Sequence, residues 1–225
     1  MHKKSLYVWE SPIRIYHWLN VVLIVILVAT GLFIGNPIFT QPGEAYAVFI
    51  MGRIRLWHSM AAWIFIANFI YRFYWAWAGN EYAKFKPWRK GFISDGLESV
   101  KYYLFLTKEH TLHVGHNVVA QLAHFFILWI GSFFMILSGL ALQGEIFPGG
   151  LQGRLAGWMI PLFGGGSYAL RSYHHLTTWL FIAFVLVHLY LVLRQDILDD
   201  DGTVSSIFNG HKFVMIDGDE THDEH

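Results

Sequence analysis

Cysteine is absent from this sequence of 225 residues, and that absence removes several chemistries at once. Disulfides, thiolate-held zinc, iron–sulfur clusters and the C-x-x-C-H attachment of c-type haem all need a thiol. Charge is scarce as well: Asp, Glu, Lys and Arg make up 14% of the residues, against about a quarter in an average soluble domain. The 16 basic and 16 acidic residues cancel to a net charge of zero. No basic field is left to hold a nucleic-acid backbone, and nucleic acid is excluded as a partner. The first 16 residues, MHKKSLYVWESPIRIY, lack the continuous apolar core and small-residue cleavage site of a removable signal peptide. The N-terminus is expected to stay on the side where it is made.

What is present is apolar surface. Hydrophobic residues make up 55% of the chain and aromatics 18%, with a mean hydropathy of +0.40. A bilayer core needs about 20 largely apolar residues in a helix, and segments 17–36, 56–79, 117–143 and 172–195 meet that requirement. Arg72 is the full charge in their interior, with Arg194 at the end of the last. Asn36, Pro37, Pro42 and Gly43 break the chain after the first segment, and Pro148, Gly149, Gly150 and the Gly164–Gly166 run break it after the third. Of the 16 Lys and Arg residues, 12 fall in the N-tail, the second loop with Arg72, and the C-tail; the remaining 4 are Arg53, Arg55, Arg154 and Arg171. The positive-inside rule then puts both termini in the cytoplasm. The expected fold is an all-α integral membrane protein, a single domain of four transmembrane helices. An interfacial helix over 91–107 is expected in the second loop, where basic residues mix with Trp88, Phe92, Tyr102, Tyr103, Leu104 and Phe105. The polar tail 196–225, ending DGDETHDEH, is expected to be a frayed, solvated terminus.

Any metal chemistry must run through histidine, of which there are 13. An ionisable residue inside a membrane is costly and marks a candidate site. His17, His58, His124, His174, His175 and His188 qualify. With the expected topology, His17 opens the first helix at the cytoplasmic side and His58 opens the second at the periplasmic side. His188 follows His174 by 14 residues, a rise of about 21 Å at 1.5 Å per residue. The same 14 steps return to within about 40° of the starting direction, so both imidazoles share a face, whereas His175 points about 140° away from His188. Two levels emerge: His58 with His174 near the periplasm, and His17 with His188 near the cytoplasm. Paired imidazoles from two helices of a bundle are what an axially ligated haem requires. Two b-type haems are therefore expected. Gly31 shares the His17 face at the outer level, where a missing side chain would let a macrocycle approach. Arg72 stands at the inner level, to meet a haem propionate or to snorkel to the headgroups. His124, without a partner at its level that the pattern leaves unused, is read as structural in preference to a place near a substrate pocket. The aromatic runs FIYRFYWAWAG and HFFILWIGSFF are read as lipid-facing packing. There is no H-E-x-x-H, and the spans lack the Asp or Glu that intramembrane zinc would usually recruit.

The segments SPIRIYHWLN, MGRIRLWHSMA, GHNVVAQ, SYHHLTTWLFIAFVLVHLYLVLRQDIL and TVSSIFNGHKF, in this order and spacing, resemble the dihaem, quinone-reducing cytochrome b subunits of membrane-bound nickel-iron uptake hydrogenases. The resemblance covers nearly the whole chain. It implies haem ligands at His17, His58, His174 and His188, a hydrogenase small subunit docked with its large subunit at the periplasmic face, and electron flow from its iron–sulfur clusters through both haems to membrane quinone. It further implies location in the bacterial inner membrane, and a role as an electron-transfer subunit of a hydrogen:quinone oxidoreductase rather than a hydrogenase in its own right. His116, Asn117 and Gln121, at the start of the third helix, become candidates for the quinone site, with a helix cap as the other reading of Asn117. Three competing readings remain: the cytochrome b subunit of a related formate dehydrogenase or thiosulfate reductase, a passive membrane anchor, and a histidine-based metal-ion transporter.

Overall fold

A computed structural model of the chain describes residues 2–38, 48–85, 87, 89–104, 106–107, 115, 117–164 and 166–216. Its main elements, in chain order, are β1 (His2–Tyr7), α1 (Ser11–Gly35), α2 (Ile50–Ala78), α3 (Phe92–Tyr103), α4 (Val118–Ala123), a π-helical segment (His124–Gly131) and α5 (Ser132–Gly144). The short helices α6 (Leu151–Ala156) and α7 (Met159–Leu162) follow, then α8 (Ser167–Asp199), α9 (Thr203–Asn209) and β2 (His211–Ile216). Among the described residues three helices are long and apolar enough to cross a membrane: α1, the continuous stretch Val118–Gly144, and α8. At 29 residues α2 is as long, but Arg53, Arg55, His58, Asn68 and Arg72 make it less apolar. The helices overrun the apolar segments at several ends; α1 starts at Ser11 and α8 runs from Ser167 to Asp199. Hydropathy marks the stretch that suits lipid, whereas backbone hydrogen bonding carries a helix on until a cap or breaker stops it.

The chain divides into two compact units. Residues 1–17, 72–125 and 186–225 form one, and residues 18–71 and 126–185 form the other. The first is built around polar clamps. Strands β1 and β2 pair antiparallel, with Lys3 opposite Met215 and Tyr7 opposite His211. This corrects two expectations: the fold is not purely helical, and the tail up to Ile216 is folded rather than frayed. Residues 217–225 lie outside the described set. The physical reason lies in the tail itself. Gly210 ends α9 in the left-handed region at φ 90°, where a Cβ would stand 2.5 Å from the Tyr7 ring, and its carbonyl accepts from the Val8 and Trp9 N–H groups. Asp201 meets Lys212 at 2.7 Å with both side chains largely buried. Burial works against the Asp201 carboxylate, yet the Lys212 ammonium and the Thr203 hydroxyl and N–H outweigh it, so its carboxyl sits below the usual carboxylate range. The Trp9 indole donates to Ser206 Oγ at 3.1 Å, and Arg14 donates to the Phe208 carbonyl. Glu10 accepts from the Trp75 indole at 3.0 Å and from the Asn80 N–H at 2.9 Å, fastening the end of α2 to the start of α1. Val8, Trp9, Ile13 and Ala83 fill the small core beneath these bonds.

The second unit packs through apolar contacts. Leu23 of α1 meets Ala61 and Phe65 of α2, flanked by Leu27 and Ile136. Small residues let backbones approach here, as between membrane helices generally. A Cβ on Gly144 would stand 2.6 Å from the Gly153 backbone, and Ala141, Ala156, Met159 and Leu170 close the core beside them. The Gly-rich third loop therefore folds into α6 and α7 instead of forming an open connection. Arg171 pairs with Glu145 at 2.9 Å.

Candidate functional site

Each unit contains one of the two histidine pairs singled out from the sequence. In the second unit, His58 and His174 are both half-buried and belong to the same compact unit. The Nδ1 atom of His58 is 2.8 Å from Thr30 Oγ1, and that of His174 is 2.7 Å from Ser138 Oγ. Thr30 gives its own proton to the Ile26 carbonyl at 2.6 Å, and Ser138 gives its proton to the Phe134 carbonyl at 2.7 Å. Each hydroxyl oxygen then accepts from Nδ1–H. With that bond direction both Nδ1 atoms carry a proton, which in the neutral ring leaves the Nε2 lone pair for a ligand. Gly31 and Gly139 lie under the two rings: a Cβ at Gly31 would be 3.3 Å from His58 Cε1, and one at Gly139 would be 3.6 Å from His174 Cε1. Gly31 thus makes room for the His58 imidazole. His175 lies against Gly35, whose Cβ would be 3.0 Å from its ring, and stacks edge-on to Trp179 at 6.5 Å.

In the first unit, the His17 and His188 rings stand 6.5 Å apart between centroids, tilted by 49°. A ring nitrogen sits about 2 Å from a first-row metal, as zinc–imidazole sites show. The separation therefore suits two imidazoles facing a common metal. His124 joins them, its ring 5.8 Å from that of His188 and edge-on to it. The sequence reading gave His124 no partner, although the signal was there: His124 lies 7 residues inside the start of segment 117–143 and His188 lies 7 residues inside the end of segment 172–195. His124 Nδ1–H donates to the Ala120 carbonyl at 2.6 Å, at the point where the helix widens into π turns, a feature found mostly at functional sites. Arg72 donates to the Ala83 carbonyl at 3.0 Å and stands 5.8 Å from the Tyr16 ring.

Of the three quinone-site candidates, His116 lies outside the described residues. Asn117 caps α4, its Oδ1 accepting from Ala120 N–H at 2.9 Å while its Nδ2 donates to the Tyr103 hydroxyl at 2.5 Å. Gln121 is half-buried one turn further on. Thr30 and Ser138 were not singled out from the sequence. The duplicated hydroxyl–glycine–leucine runs, Thr30-Gly31-Leu32 and Ser138-Gly139-Leu140, were the signal that pointed to them.

Among the described residues no group of three or more His, Cys, Asp or Glu is placed to hold a bare metal ion. Structural and catalytic zinc usually takes three or four protein ligands. A pair of imidazoles instead fits a macrocycle that brings its own equatorial nitrogens.

Residues 8–210 match the family model described as prokaryotic cytochrome b561. A probable Ni/Fe-hydrogenase B-type cytochrome subunit of Cupriavidus necator is 41% identical over 214 residues, covering 93% of this chain and 87% of the relative. A probable Ni/Fe-hydrogenase 1 B-type cytochrome subunit of Escherichia coli (strain K12) is 39% identical over 226 residues, with 96% and 95% covered. A probable Ni/Fe-hydrogenase B-type cytochrome subunit of Azotobacter chroococcum is 38% identical over 218 residues, with 95% and 90% covered. Likeness of this extent, on a chain with three helices suited to a bilayer, makes this a membrane protein that belongs to the prokaryotic cytochrome b561 family.

Proposed function

We propose that this chain is the b-type cytochrome subunit of a membrane-bound nickel-iron hydrogenase, binding two b-type haems and carrying electrons from the hydrogenase small subunit to membrane quinone. The observation that carries the reading is the sorting of four half-buried histidines into two pairs, His58 with His174 and His17 with His188, each within one compact unit. The names of the relatives supply the partner.

When bound, haem supplies a one-electron Fe(III)/Fe(II) couple. The chain's own residues do the rest. His58 and His174 offer Nε2 from fixed tautomers, and His17 and His188 offer a second pair of imidazoles. Burial among apolar side chains and the hydrogen bonds on the far ring nitrogens tune the couple. In this reading α2 is a fourth span, both termini are cytoplasmic, and the protein resides in the bacterial inner membrane, anchoring the hydrogenase at the periplasmic face. Ile93, Leu97 and Val100, exposed along one side of α3, suit a helix lying in the cytoplasmic headgroup layer. Quinone is assigned to the start of the third spanning stretch, at His116, Asn117 and Gln121, with Asn117 also serving as the cap.

The test is substrate-driven reduction in native membranes. Hydrogen should reduce the cytochrome absorption band, and the purified chain should carry a nickel-iron pair with it. Reduction by formate alone, with a molybdenum enzyme co-purifying, would transfer the protein to the rival complex. Unimpaired quinone reduction after His58→Ala or His188→Ala would leave a passive anchor.

A further inference from the structure

The second unit uses one local device twice. On α1, Thr30 is followed by Gly31 and Leu32; on α5, Ser138 is followed by Gly139 and Leu140. Each hydroxyl bonds back to the carbonyl four residues earlier, at 2.6 Å to Ile26 and 2.7 Å to Phe134, with weaker approaches of 3.3 Å to Leu27 and Met135. Each then meets Nδ1 of a histidine on the next long helix, His58 on α2 at 2.8 Å and His174 on α8 at 2.7 Å. A glycine follows each hydroxyl; a Cβ at Gly31 would crowd His58 at 3.3 Å, whereas one at Gly139 would make ordinary contact with His174 at 3.6 Å.

A hydroxyl has one proton. Were the imidazole nitrogen the acceptor, that proton would point at the ring, and the 2.6 and 2.7 Å contacts to the carbonyls would set lone pair against lone pair. The arrangement resolves when the carbonyl takes the hydroxyl proton and the hydroxyl oxygen takes Nδ1–H. Back-bonding by Ser or Thr is ordinary inside helices, and one such contact to one histidine would be a satisfied polar pair and nothing more. Two copies, on the same ring atom and with the same back-bond, point to a shared requirement.

We infer that Thr30 and Ser138 are positioning residues for the His58/His174 pair: they lock both imidazoles as Nδ1–H tautomers, orient the rings, and strengthen Nε2 as a donor. The inference rests on the reading of His58 and His174 as axial ligands. An acceptor on Nδ1–H shifts electron density toward Nε2, and the effect grows because the acceptor is itself polarised by the carbonyl behind it. A stronger imidazole donor favours the ferric over the ferrous state. The hydroxyls accordingly hold down the reduction potential of the haem bound at this pair.

The experiment is a redox titration of the full chain in its hydrogenase complex, with haem count and low-temperature EPR of the ferric state, for Thr30→Val, Ser138→Ala and Thr30→Ser. The expected result for Thr30→Val and Ser138→Ala is two haems retained, one potential raised and the other unmoved. The shift should be about tenfold in the reduction equilibrium, ~59 mV for one electron, with a changed EPR signature for the same haem. Thr30→Ser, which keeps the hydroxyl, should keep the native potential. Loss of one haem in Thr30→Val with native behaviour in Thr30→Ser also supports the role. Unchanged potentials and spectra in both hydroxyl deletions, or loss of haem in Thr30→Ser, would overturn it. A separate His58→Ala variant that keeps both haems would instead sink the ligand assignment, whatever the hydroxyl variants show.

Discussion

The two histidine pairs are held by different means. His58 and His174 are gripped one at a time, each by a hydroxyl on Nδ1 and a glycine beneath the ring. His17 and His188 face each other at 6.5 Å, with His124 as a third ring against His188. Their unit is tied together by charged and polar clamps, Glu10 to Trp75 and Asn80 and Asp201 to Lys212. The apolar unit thus fixes its imidazoles with short local bonds. The polar unit clusters its rings and invests its hydrogen bonds in closing the two ends of the chain. The difference teaches that a pair of imidazoles can be pre-oriented either by the helix it leans on or by its neighbours, and the two should respond differently to substitution.

The largest expected effect separates the pairs outright. His58→Ala or His174→Ala should remove one haem and abolish hydrogen-driven quinone reduction, while the optical and EPR signals of the remaining haem stay native. His17→Ala or His188→Ala should remove the other. Loss of both haems from any single change would erase the distinction between the two sites.

Next comes the clamp of the polar unit. Asp201→Asn leaves the largely buried Lys212 ammonium without its carboxylate, and breaking such a pair costs about 3 kcal/mol or more. Hydrogen exchange in β2 should rise while exchange in the middle of α5 is unaffected. Acid should do the same. The folded-state pKa of Asp201 is depressed, so its contribution is present above the ordinary carboxylate pKa and is lost as pH falls through the lower, folded value. Strand β2 should therefore loosen below the usual carboxylate range.

The glycine series is finer. A Cβ would meet His175 at 3.0 Å from Gly35, His58 at 3.3 Å from Gly31 and His174 at 3.6 Å from Gly139. Gly31→Ala should shift the absorption band of the haem at His58. Gly139→Ala should leave the spectrum native and raise stability by about 0.5–1 kcal/mol through helix propensity, read as a higher melting temperature. The smallest effect is expected at His175, whose replacement by Ala should retain both haems. The reverse result, with His174→Ala harmless, would exchange the roles of these neighbours.

Much of this was legible in the sequence because lipid enforces simple rules. Apolar runs of spanning length gave the helices Ser11–Gly35, Val118–Gly144 and Ser167–Asp199, and polar residues inside them gave the histidines. What stayed hidden depended on contacts between distant segments. The pairing of β1 with β2 joins residues more than 190 positions apart, and KKSLY and HKFVM are too short and too polar to announce a sheet alone. The π turns at His124–Gly131 carry no composition that separates them from an α-helix. Thr30 and Ser138 look like ordinary small helical residues until the histidines of the next helices are set beside them.

The most direct test of the account is the haem-to-protein ratio of the purified full-length chain, measured by haemochrome absorbance in the wild type and in His58→Ala. The account predicts two haems per chain in the first and one in the second. One haem per chain in a well-folded wild type, or an unchanged ratio in the variant, would contradict it.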